Sequence, residues 1–272
     1  MSKYLPADQL RHLMWQSGEP VPPRVPPTPP RGSALPSDVQ YILMGKTSRY
    51  AEGLHALRNT CDADSMCPHP TFVLDDGSNI YRPLTFRETI EARVNSYEQN
   101  KPREERLVLF KRWNDSCTAA AYKQGTTAFT LVPISKDLII LAEDFNEGYL
   151  PVPYSSLEGK GVELDSTADV YNTALDRDKI PDHRGWRAAL EDDIILLTTY
   201  RDIVFEELKE RSKTKTMPEK AMGFWIRQNT PTDELRALFV YNLDGNSSAN
   251  GNYYLSDFGS FVRLAPSQKI SP

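Results

Sequence analysis

Residues 236–264 read RALFVYNLDGNSSANGNYYLSDFGSFVRL, a composition unlike the rest of the chain. Asn, Ser, Gly, Asp and Tyr dominate residues 241–260, and apolar segments flank them on both sides. Tyrosine supplies broad and stiff contact area while Ser, Gly and Asn supply adaptable hydrogen bonds, as in antibody paratopes. The stretch therefore predicts a surface that binds a partner, with a protein as the expected ligand. The alternative is an ordinary Gly- and Asn-rich loop between two strands, which needs no partner.

The flanking apolar segments are expected to hold this surface in place. Residues 238–240 and 261–264 are strand-like, and loops held on rigid strands are where binding residues concentrate. Aromatic side chains would anchor the contact, and the small polar ones would adjust it. The expected anchors are Tyr241, Tyr253, Tyr254 and Phe258.

Farther from this stretch, helical and strand patterns follow one another irregularly. Thr85 and Glu88 have the spacing of a capping box, and Asp75-Asp76-Gly77 is a hairpin signal. Helices are expected at 37–59, 85–98, 102–113 and 186–213, and strands at 71–74, 80–81, 127–134, 138–142, 223–227, 236–241 and 253–264. Helices mix with antiparallel hairpins without the strand–helix alternation of a doubly wound fold. An α+β domain with a mixed or antiparallel sheet and several helices follows.

The chain divides by composition into an arm, a domain and a tail. Residues 6–17 have the apolar spacing of a short amphipathic helix, and eight prolines follow between Pro20 and Pro36. Because proline excludes helix interiors and central strands, these residues predict a polyproline spacer. Its arginines also fit PxxP recognition, a pattern that any proline-rich spacer produces. We expect an arm at 1–36, one globular domain at 37–267 carrying the binding segment 241–260, and a tail at 268–272.

Charge and cysteine content narrow the class of protein. The net charge of −5 and the pI near 5.5 argue against a broad phosphate-binding face, so nucleic acid is not an expected partner. The first residues lack the basic and apolar stretches of a signal peptide, and no apolar run is long enough to cross a membrane. Three cysteines are too few, and odd in number, for a secreted disulfide framework. A soluble, cytoplasmic protein is the expectation.

Two histidines and two cysteines fall close together in the sequence. They are His55, Cys61, Cys67 and His69. Thiolate and imidazole are the ligands that zinc prefers, and four of them could close a tetrahedral structural site. The step between the two cysteines is longer than the common Cys-x2-4-Cys spacing. The alternatives are two reduced, buried cysteines and a disulfide formed on oxidation.

A hydrolase or transferase is the alternative from a different functional class. Cys117 could act as a nucleophile if a histidine base approached it, and His183 is the histidine that remains for this role. Paired carboxylates such as Asp192-Asp193 could support acid–base chemistry, although such pairs more often form solvated faces and helix starts. No motif specifies either chemistry, so binding is favoured over catalysis and no catalytic residue is assigned. A third interpretation is a structural component of a phage or similar assembly.

The last fifty or so residues resemble a known protein family. Their order is Gly223-Phe-Trp225, then Arg236-Ala-Leu, an Asn/Ser/Tyr-rich stretch, and Gly259-Ser-Phe261-Val-Arg263-Leu. This order resembles the end of the C-type-lectin-like domains in variable proteins of diversity-generating retroelements, which are related to the formylglycine-generating-enzyme fold. The sequence departs from the family in lacking its Gly-Gly-x-Trp turn and in splitting its terminal Gly-Phe-Arg.

The resemblance implies a ligand-binding face that adenine-directed mutagenesis diversifies on a fixed scaffold. It also implies a near-copy of the DNA for residues 236–264 beside a reverse-transcriptase gene. Trp113-Asn114-Asp115 is similar to the calcium-binding triplet of animal C-type lectins. The triplet lies far upstream and without its Pro-containing partner motif, so no calcium is inferred. The implied variable face comprises Tyr241, Asn242, Asp244, Asn246, Ser247, Asn250, Asn252, Tyr253, Tyr254, Ser256, Asp257 and Phe258.

Overall fold

The computed structural model describes residues 35–36, 39–44, 49–98, 102–140, 148–257 and 259–266. All of them belong to Ser33–Pro272, the second of the two units into which the chain divides. The expected helix at 6–17, most of the proline-rich arm and the tail lie outside the described residues. The boundaries of the arm, domain and tail therefore stay predictions.

The described residues form short strands and helices of very unequal length. The strands are β1 (Val39–Leu43), β2 (Thr71–Val73), β3 (Asn79–Tyr81), β4 (Ala119–Tyr122), β5 (Ala128–Val132), β6 (Val162–Asp165), β7 (Leu175–Asp176), β8 (Lys220–Ala221), β9 (Phe224–Trp225), β10 (Glu234–Ala237), β11 (Phe239–Val240), β12 (Ala249–Asn250) and β13 (Val262–Pro266). The helices are α1 (Tyr50–Asp62), α2 (Phe86–Glu98), α3 (Arg103–Arg106), α4 (Lys136–Ile140), α5 (Arg184–Ala189) and α6 (Ile194–Arg211). Single 3-10 turns lie at Val108–Phe110, Tyr154–Leu157, Ile180–Asp182 and Leu243–Gly245.

The strands join in small, mostly antiparallel sheets. The largest has the order β10-β4-β5-β6 and is antiparallel throughout. A second has the order β11-β12-β9, in which β12 runs parallel to β9. The pairs β1-β13, β2-β3 and β7-β8 are antiparallel. Helices and antiparallel sheets without regular alternation confirm the α+β class.

The pairing of β1 with β13 joins the two ends of the described domain. Val39 lies opposite Pro266 and Leu43 opposite Val262. The prediction of one helix over 37–59 was therefore wrong in its first part, because a long-range strand pairing overrides the local helical pattern. The helix begins at Tyr50 instead.

The core is built around α6 and α2. Tyr200 and Phe205 of α6 and Phe86 of α2 are buried in one cluster with Trp186. The expected capping box at the start of α2 is confirmed, since the Thr85 N–H donates to Glu88 Oε2 (2.7 Å) and the Glu88 N–H donates to Thr85 Oγ1 (3.1 Å). The expected hairpin at 71–81 is also confirmed by the pairing of β2 with β3.

Three other predicted elements were wrong in part. Residues 136–140 form α4 and not a strand, because the Ser135 hydroxyl accepts the Leu138 N–H and the Ser135 carbonyl accepts the Ile139 N–H. The long helix expected over 186–213 is broken into α5 and α6 by Glu191 and Asp192, whose φ angles are 54° and 60°. Of the strand expected at 253–264, only the part from Val262 exists.

None of the helices within the described ranges combines the length and the apolar character needed to cross a membrane.

Candidate functional site

Residues 241–257 form a double-looped segment between β11 and β13. Asn242 starts the 3-10 turn, since its Oδ1 accepts the Gly245 N–H (3.0 Å). Asn246 and Ser247 follow with φ angles of 55° and 50°, a left-handed conformation that asparagine adopts more readily than most residues. β12 then returns the chain to β11. The Asn/Ser-rich composition is thus partly a requirement of the tight turns.

The second loop of the segment, residues 251–257, is here named the tyrosine loop and presents two tyrosines to solvent. Tyr253 is 36% exposed and Tyr254 is 49% exposed. The loop closes on itself because Asp257 Oδ2 accepts the Tyr254 N–H (2.9 Å). The Leu255 N–H donates to the Gly148 carbonyl and the Leu255 carbonyl accepts the Tyr50 N–H, so the buried Leu255 anchors the loop. Two of the three expected tyrosine anchors therefore face outward on a fixed backbone, while Tyr241 is half-buried.

The remaining predicted surface residues differ in exposure. Ser247 is 0% exposed and Asn250 is 3% exposed. These two predictions were wrong. Asn250 lies in β12 between β9 and β11. Ser247 lies between Asn246 and Ser248, whose oxygens accept the N–H groups of Met222 and Gly223. Phe258 lies outside the described residues. The exposed residues of the set are Asp244, Asn246, Tyr253 and Tyr254, and the half-buried ones are Tyr241, Asn242, Asn252, Ser256 and Asp257.

Four aromatic rings form one cluster under the loop. The rings belong to Trp113, Phe239, Tyr241 and Tyr253, and each contacts the other three. Trp113 lies edge-on to Tyr241 (5.0 Å between centroids) and to Tyr253 (5.3 Å). Such edge-to-face contacts contribute about 0.5–1.5 kcal/mol each beyond burial. The cluster fixes the inner face of Tyr253 while its outer face stays in solvent.

Arg236 fixes the other tyrosine. Its guanidinium is fully buried in an ion pair with the equally buried Glu234 (2.8 Å). Nη1 donates to the carbonyls of Asn252 (3.1 Å) and Tyr253 (3.0 Å). The rings of Tyr254 and Tyr149 lie 4.7 and 5.4 Å from the guanidinium carbon. One buried arginine thus holds both the backbone and a ring of the tyrosine loop.

Trp113-Asn114-Asp115 passes between β11 and the chain before β13. The Asn114 N–H donates to the Val240 carbonyl (2.9 Å) and the Asp115 N–H donates to the Ser260 carbonyl (2.9 Å). Asn114 is fully buried, and its Oδ1 accepts a hydrogen bond from Arg93 Nε (2.9 Å). Asn114 is therefore a structural crosslink, while its neighbours Trp113 and Asp115 face the tyrosine loop.

Asp115 lies in a small cleft, here named the Asp115 cleft. The cleft has room for about one water molecule (about 10 Å³). Burial, with a smaller contribution from the negative charge of Asp257, raises the pKa of the Asp115 carboxyl to about 8. The lining residues are Tyr50, Trp113, Asp115, Ala237, Phe239, Tyr253, Tyr254, Leu255, Asp257 and Gly259.

The four expected zinc ligands do not close a metal site, although the thiols of Cys61 and Cys67 interact with each other. Both ring nitrogens of His69 are occupied by the backbone, since Nε2 donates to the Arg82 carbonyl (2.8 Å) and Nδ1 accepts the Leu264 N–H (3.2 Å). Burial lowers the pKa of His69 to about 4. His55 is exposed on α1, while Cys61 of the same helix is buried. Within the described parts of the chain, no three His, Cys, Asp or Glu side chains are arranged to hold a metal ion. This corrects the predicted zinc site.

Cys117 is not placed to act as a nucleophile. Its thiol is fully buried and donates to the Pro83 carbonyl (3.1 Å), and burial raises its pKa to about 12. His183 instead caps α5, where Nδ1 accepts the Trp186 N–H (3.3 Å) and Nε2 donates to the Val170 carbonyl (2.9 Å). The structure therefore argues against the cysteine-dependent hydrolase or transferase.

Comparison with known proteins bears on the fold. No protein-family model matches the chain, and no curated protein is similar to it in sequence. A solved structure of a protein from Nanoarchaeota, in which the C-type lectin fold accommodates massive sequence variation, matches this chain with a TM-score of 0.53. The match covers 84% of this chain and 97% of that protein. The domain has a C-type lectin fold.

This finding confirms the resemblance at the level of architecture. The two chains are 14% identical, so the C-type lectin fold is shared while residue-level properties are not established by the match. Membership in the variable proteins of diversity-generating retroelements stays a prediction.

Several residues of the site were not predicted as such from the sequence. Asp115 and Trp113 were noted only as part of a triplet similar to a calcium motif, and Arg236 only as part of the family resemblance. No sequence feature indicated a role for Tyr149. A polar residue within an apolar strand, such as Arg236 before Ala-Leu-Phe-Val, is the sequence feature that indicates a buried charge with a specific task.

Proposed function

We propose that the protein binds a protein ligand through the surface formed by Asn252, Tyr253, Tyr254, Ser256 and Asp257. The observation that carries this proposal is the exposure of Tyr253 and Tyr254, at 36% and 49%, on side chains whose inner faces are packed. A pre-positioned ring loses little conformational entropy when it binds, so more of its contact energy is available for affinity. A loop that merely joined two strands would have no need to keep two tyrosines outward.

We further propose that this surface is diversified between copies of the protein. The exposed side chains lie on a backbone that buried residues hold, namely Arg236, Leu255 and Asn250. Side chains at such positions can change without moving the scaffold. The Nanoarchaeota protein of the same fold accommodates massive sequence variation, and the near-copy of DNA expected beside a reverse-transcriptase gene would be the genomic counterpart here.

Binding is better supported than catalysis. Cys117 has no contact with solvent, and the Asp115 cleft has room for about one water molecule. A hydrolase must enclose the reacting bond of a substrate together with its catalytic groups. The cleft is too small for that, although a single protruding group can enter it.

A peptide-display selection against the full chain tests the binding proposal. Binders enriched by the wild-type protein are expected to lose at least about tenfold in affinity for a Tyr253→Ala/Tyr254→Ala variant, because aromatic anchors dominate such contacts. Affinity is measured by surface plasmon resonance on the enriched clones. The variant is expected to stay folded with a loss of about 1–2 kcal/mol, since only the inner ring faces are packed.

A matched control replaces apolar residues that are at least as exposed as the two tyrosines but lie outside the proposed surface. Val170 and Ile195 are 56% and 52% exposed, and a Val170→Ala/Ile195→Ala variant is expected to keep every binder. Enriched clones that bind the tyrosine variant as tightly as the wild type would refute this surface as the binding site.

A further inference from the structure

The Asp115 cleft combines aromatic walls with carboxyl groups. Trp113, Tyr253 and Tyr254 contribute rings, while Asp115 and Asp257 contribute carboxyls. Within the described ranges, no lysine or arginine lines the cleft. The negative faces of aromatic rings and the charge of carboxylates both attract cations. The described lining is therefore complementary to positive charge and contains no cationic side chain.

The Asp115 carboxyl lacks the hydrogen bonds that usually accompany burial. Burial and the negative charge of Asp257 raise the pKa of this carboxyl, and no hydrogen-bond donor among the described residues lowers it. A Cβ at Gly259 would collide with the Asp115 carboxylate, so the carboxyl packs directly against the Gly259 backbone. Asp115 is half-buried at the cleft, and carboxyls that are largely shielded from water are normally paired or hydrogen-bonded. An unpaired one at an open cleft indicates that its partner arrives from outside.

The buried cation that contacts the Tyr254 ring is already engaged. Arg236 pairs with Glu234 and donates to two loop carbonyls. Its remaining interaction is with the rings of Tyr254 and Tyr149. Arg236 therefore shapes the wall of the cleft without neutralising Asp115.

We propose that the Asp115 cleft takes the ε-ammonium group of a lysine side chain presented by the protein ligand. This inference rests on the proposed binding function and specifies the chemistry at its centre. The ammonium enters between Tyr253 and Tyr254, contacts the aromatic faces, and donates hydrogen bonds to the carboxylates of Asp115 and Asp257. Its aliphatic stem lies along the two exposed rings.

Size and ligand geometry favour a primary ammonium over other cations. The room of about one water molecule matches an ammonium group, whereas a guanidinium or a trimethylammonium is larger. Calcium requires six to eight oxygen ligands. The nearby amide oxygen of Asn114 is committed to Arg93, which leaves two carboxylates. The cleft therefore offers fewer oxygen ligands than a calcium ion requires.

The test is an NMR titration of the full chain with a defined lysine probe. Nα-acetyl-lysine methylamide is compared with its Nε-acetylated form and with Nα-acetyl-arginine methylamide, while the indole N–H signal of Trp113 is followed. The four tryptophans give four indole signals, and a Trp113→Phe variant assigns the relevant one. The lysine probe is expected to shift this signal saturably, the arginine probe more weakly, and the acetylated probe not at all.

Variants and pH define the contact further. Asp115→Asn and Asp257→Asn are each expected to weaken binding of the lysine probe by about tenfold, while Glu158→Gln, an exposed acid elsewhere, has no effect. Binding should also weaken from pH 9 to pH 6.5, because the Asp115 pKa of about 8 places a proton on the carboxyl. The other titratable groups lining the cleft are Asp257, Tyr50, Tyr253 and Tyr254.

Two outcomes would overturn the proposal. An equal response to the acetylated probe would show that charge is not recognised, and an unchanged response in Asp115→Asn would place the ammonium elsewhere. Peptides selected by the wild-type surface separate this proposal from the binding function on which it rests. Clones that need Tyr253 and Tyr254 but tolerate replacement of every lysine would refute the lysine contact and leave the binding function standing.

Discussion

Asp115 lowers the stability of the folded protein at neutral pH but contributes to the proposed ligand binding. Burial, with the nearby charge of Asp257, raises its pKa to about 8, whereas an aspartate in an unfolded chain titrates at about 3.9. Between these values the folded protein holds a proton that the unfolded chain has lost. Its contribution is therefore most favourable below about pH 4, and it declines as the pH rises toward about 8. A carboxyl that lowers stability at neutral pH is more readily explained by a ligand than by folding.

An Asp115→Asn variant is expected to be more stable than the wild type at higher pH. The difference in the free energy of unfolding should be near zero at about pH 4 and reach about 5 kcal/mol at about pH 8, because asparagine has no proton to lose and each pKa unit corresponds to about 1.4 kcal/mol. Urea unfolding of both proteins across this range measures it. Glu158→Gln, which alters an exposed acid, serves as the control. A difference that did not change with pH would mean that Asp115 ionises normally in the folded protein.

At the scale of elements, β10 carries the residue that shapes the tyrosine loop. Arg236 and Glu234 are both buried on this strand. Removing one member of a buried pair leaves the other charge without compensation, at a cost of about 3–5 kcal/mol. Replacing both by apolar residues of similar volume avoids that cost. The hydrogen bonds to Asn252 and Tyr253 are lost in either case.

Arg236→Met is accordingly expected to destabilise the protein by about 3–5 kcal/mol, and Glu234→Met/Arg236→Met to recover most of this loss. In the double variant the amides of the tyrosine loop should exchange faster with solvent although the core stays protected. Urea unfolding and amide hydrogen exchange measure the two effects. Arg177→Met breaks an exposed pair with Asp202 and is expected to cost under about 1 kcal/mol. Unchanged exchange of the loop amides in the double variant would show that Arg236 does not hold the loop.

Two elements that depend on neighbours in sequence were predicted correctly, whereas a strand pairing that depends on a distant partner was not. The capping box of Thr85 and Glu88 and the hairpin at Gly77 are decided within a few residues. β1 pairs with a strand at the other end of the domain, and no local pattern contains that information. In the same way, composition predicted the exposed tyrosines. The Asp115 cleft, however, is lined by residues from four separate parts of the chain, namely Tyr50 and residues within 113–115, 237–239 and 253–259.

For the whole molecule, the C-type lectin fold separates a fixed framework from a changeable loop. The pairing of β1 with β13 closes the domain next to the segment that bears the tyrosines. Buried positions within that segment belong to the framework, among them Leu243, Ser247, Asn250 and Leu255. Among the exposed and half-buried positions, Tyr241, Tyr253 and Asp257 also contribute packing or hydrogen bonds. Positions such as Asp244, Asn252 and Ser256 carry few contacts on which folding depends. Such an arrangement allows the chemistry of the surface to change without unfolding the domain.

A library of all single substitutions across 241–257 is expected to divide along this boundary. Most replacements at exposed or half-buried positions should change the free energy of unfolding by less than about 1 kcal/mol, since surface changes away from special contacts have small effects. Replacements at Leu243, Ser247, Asn250 and Leu255 should cost about 2–4 kcal/mol through cavities, overpacking or unpaired polar groups. Protease resistance of the displayed library measures both groups together. A diversified surface requires this division, because sequence variation that unfolded the domain would be lost. If buried and exposed positions tolerated substitution equally, the physical basis for diversification would be removed. The tolerant positions are Asp244, Asn252, Tyr254 and Ser256.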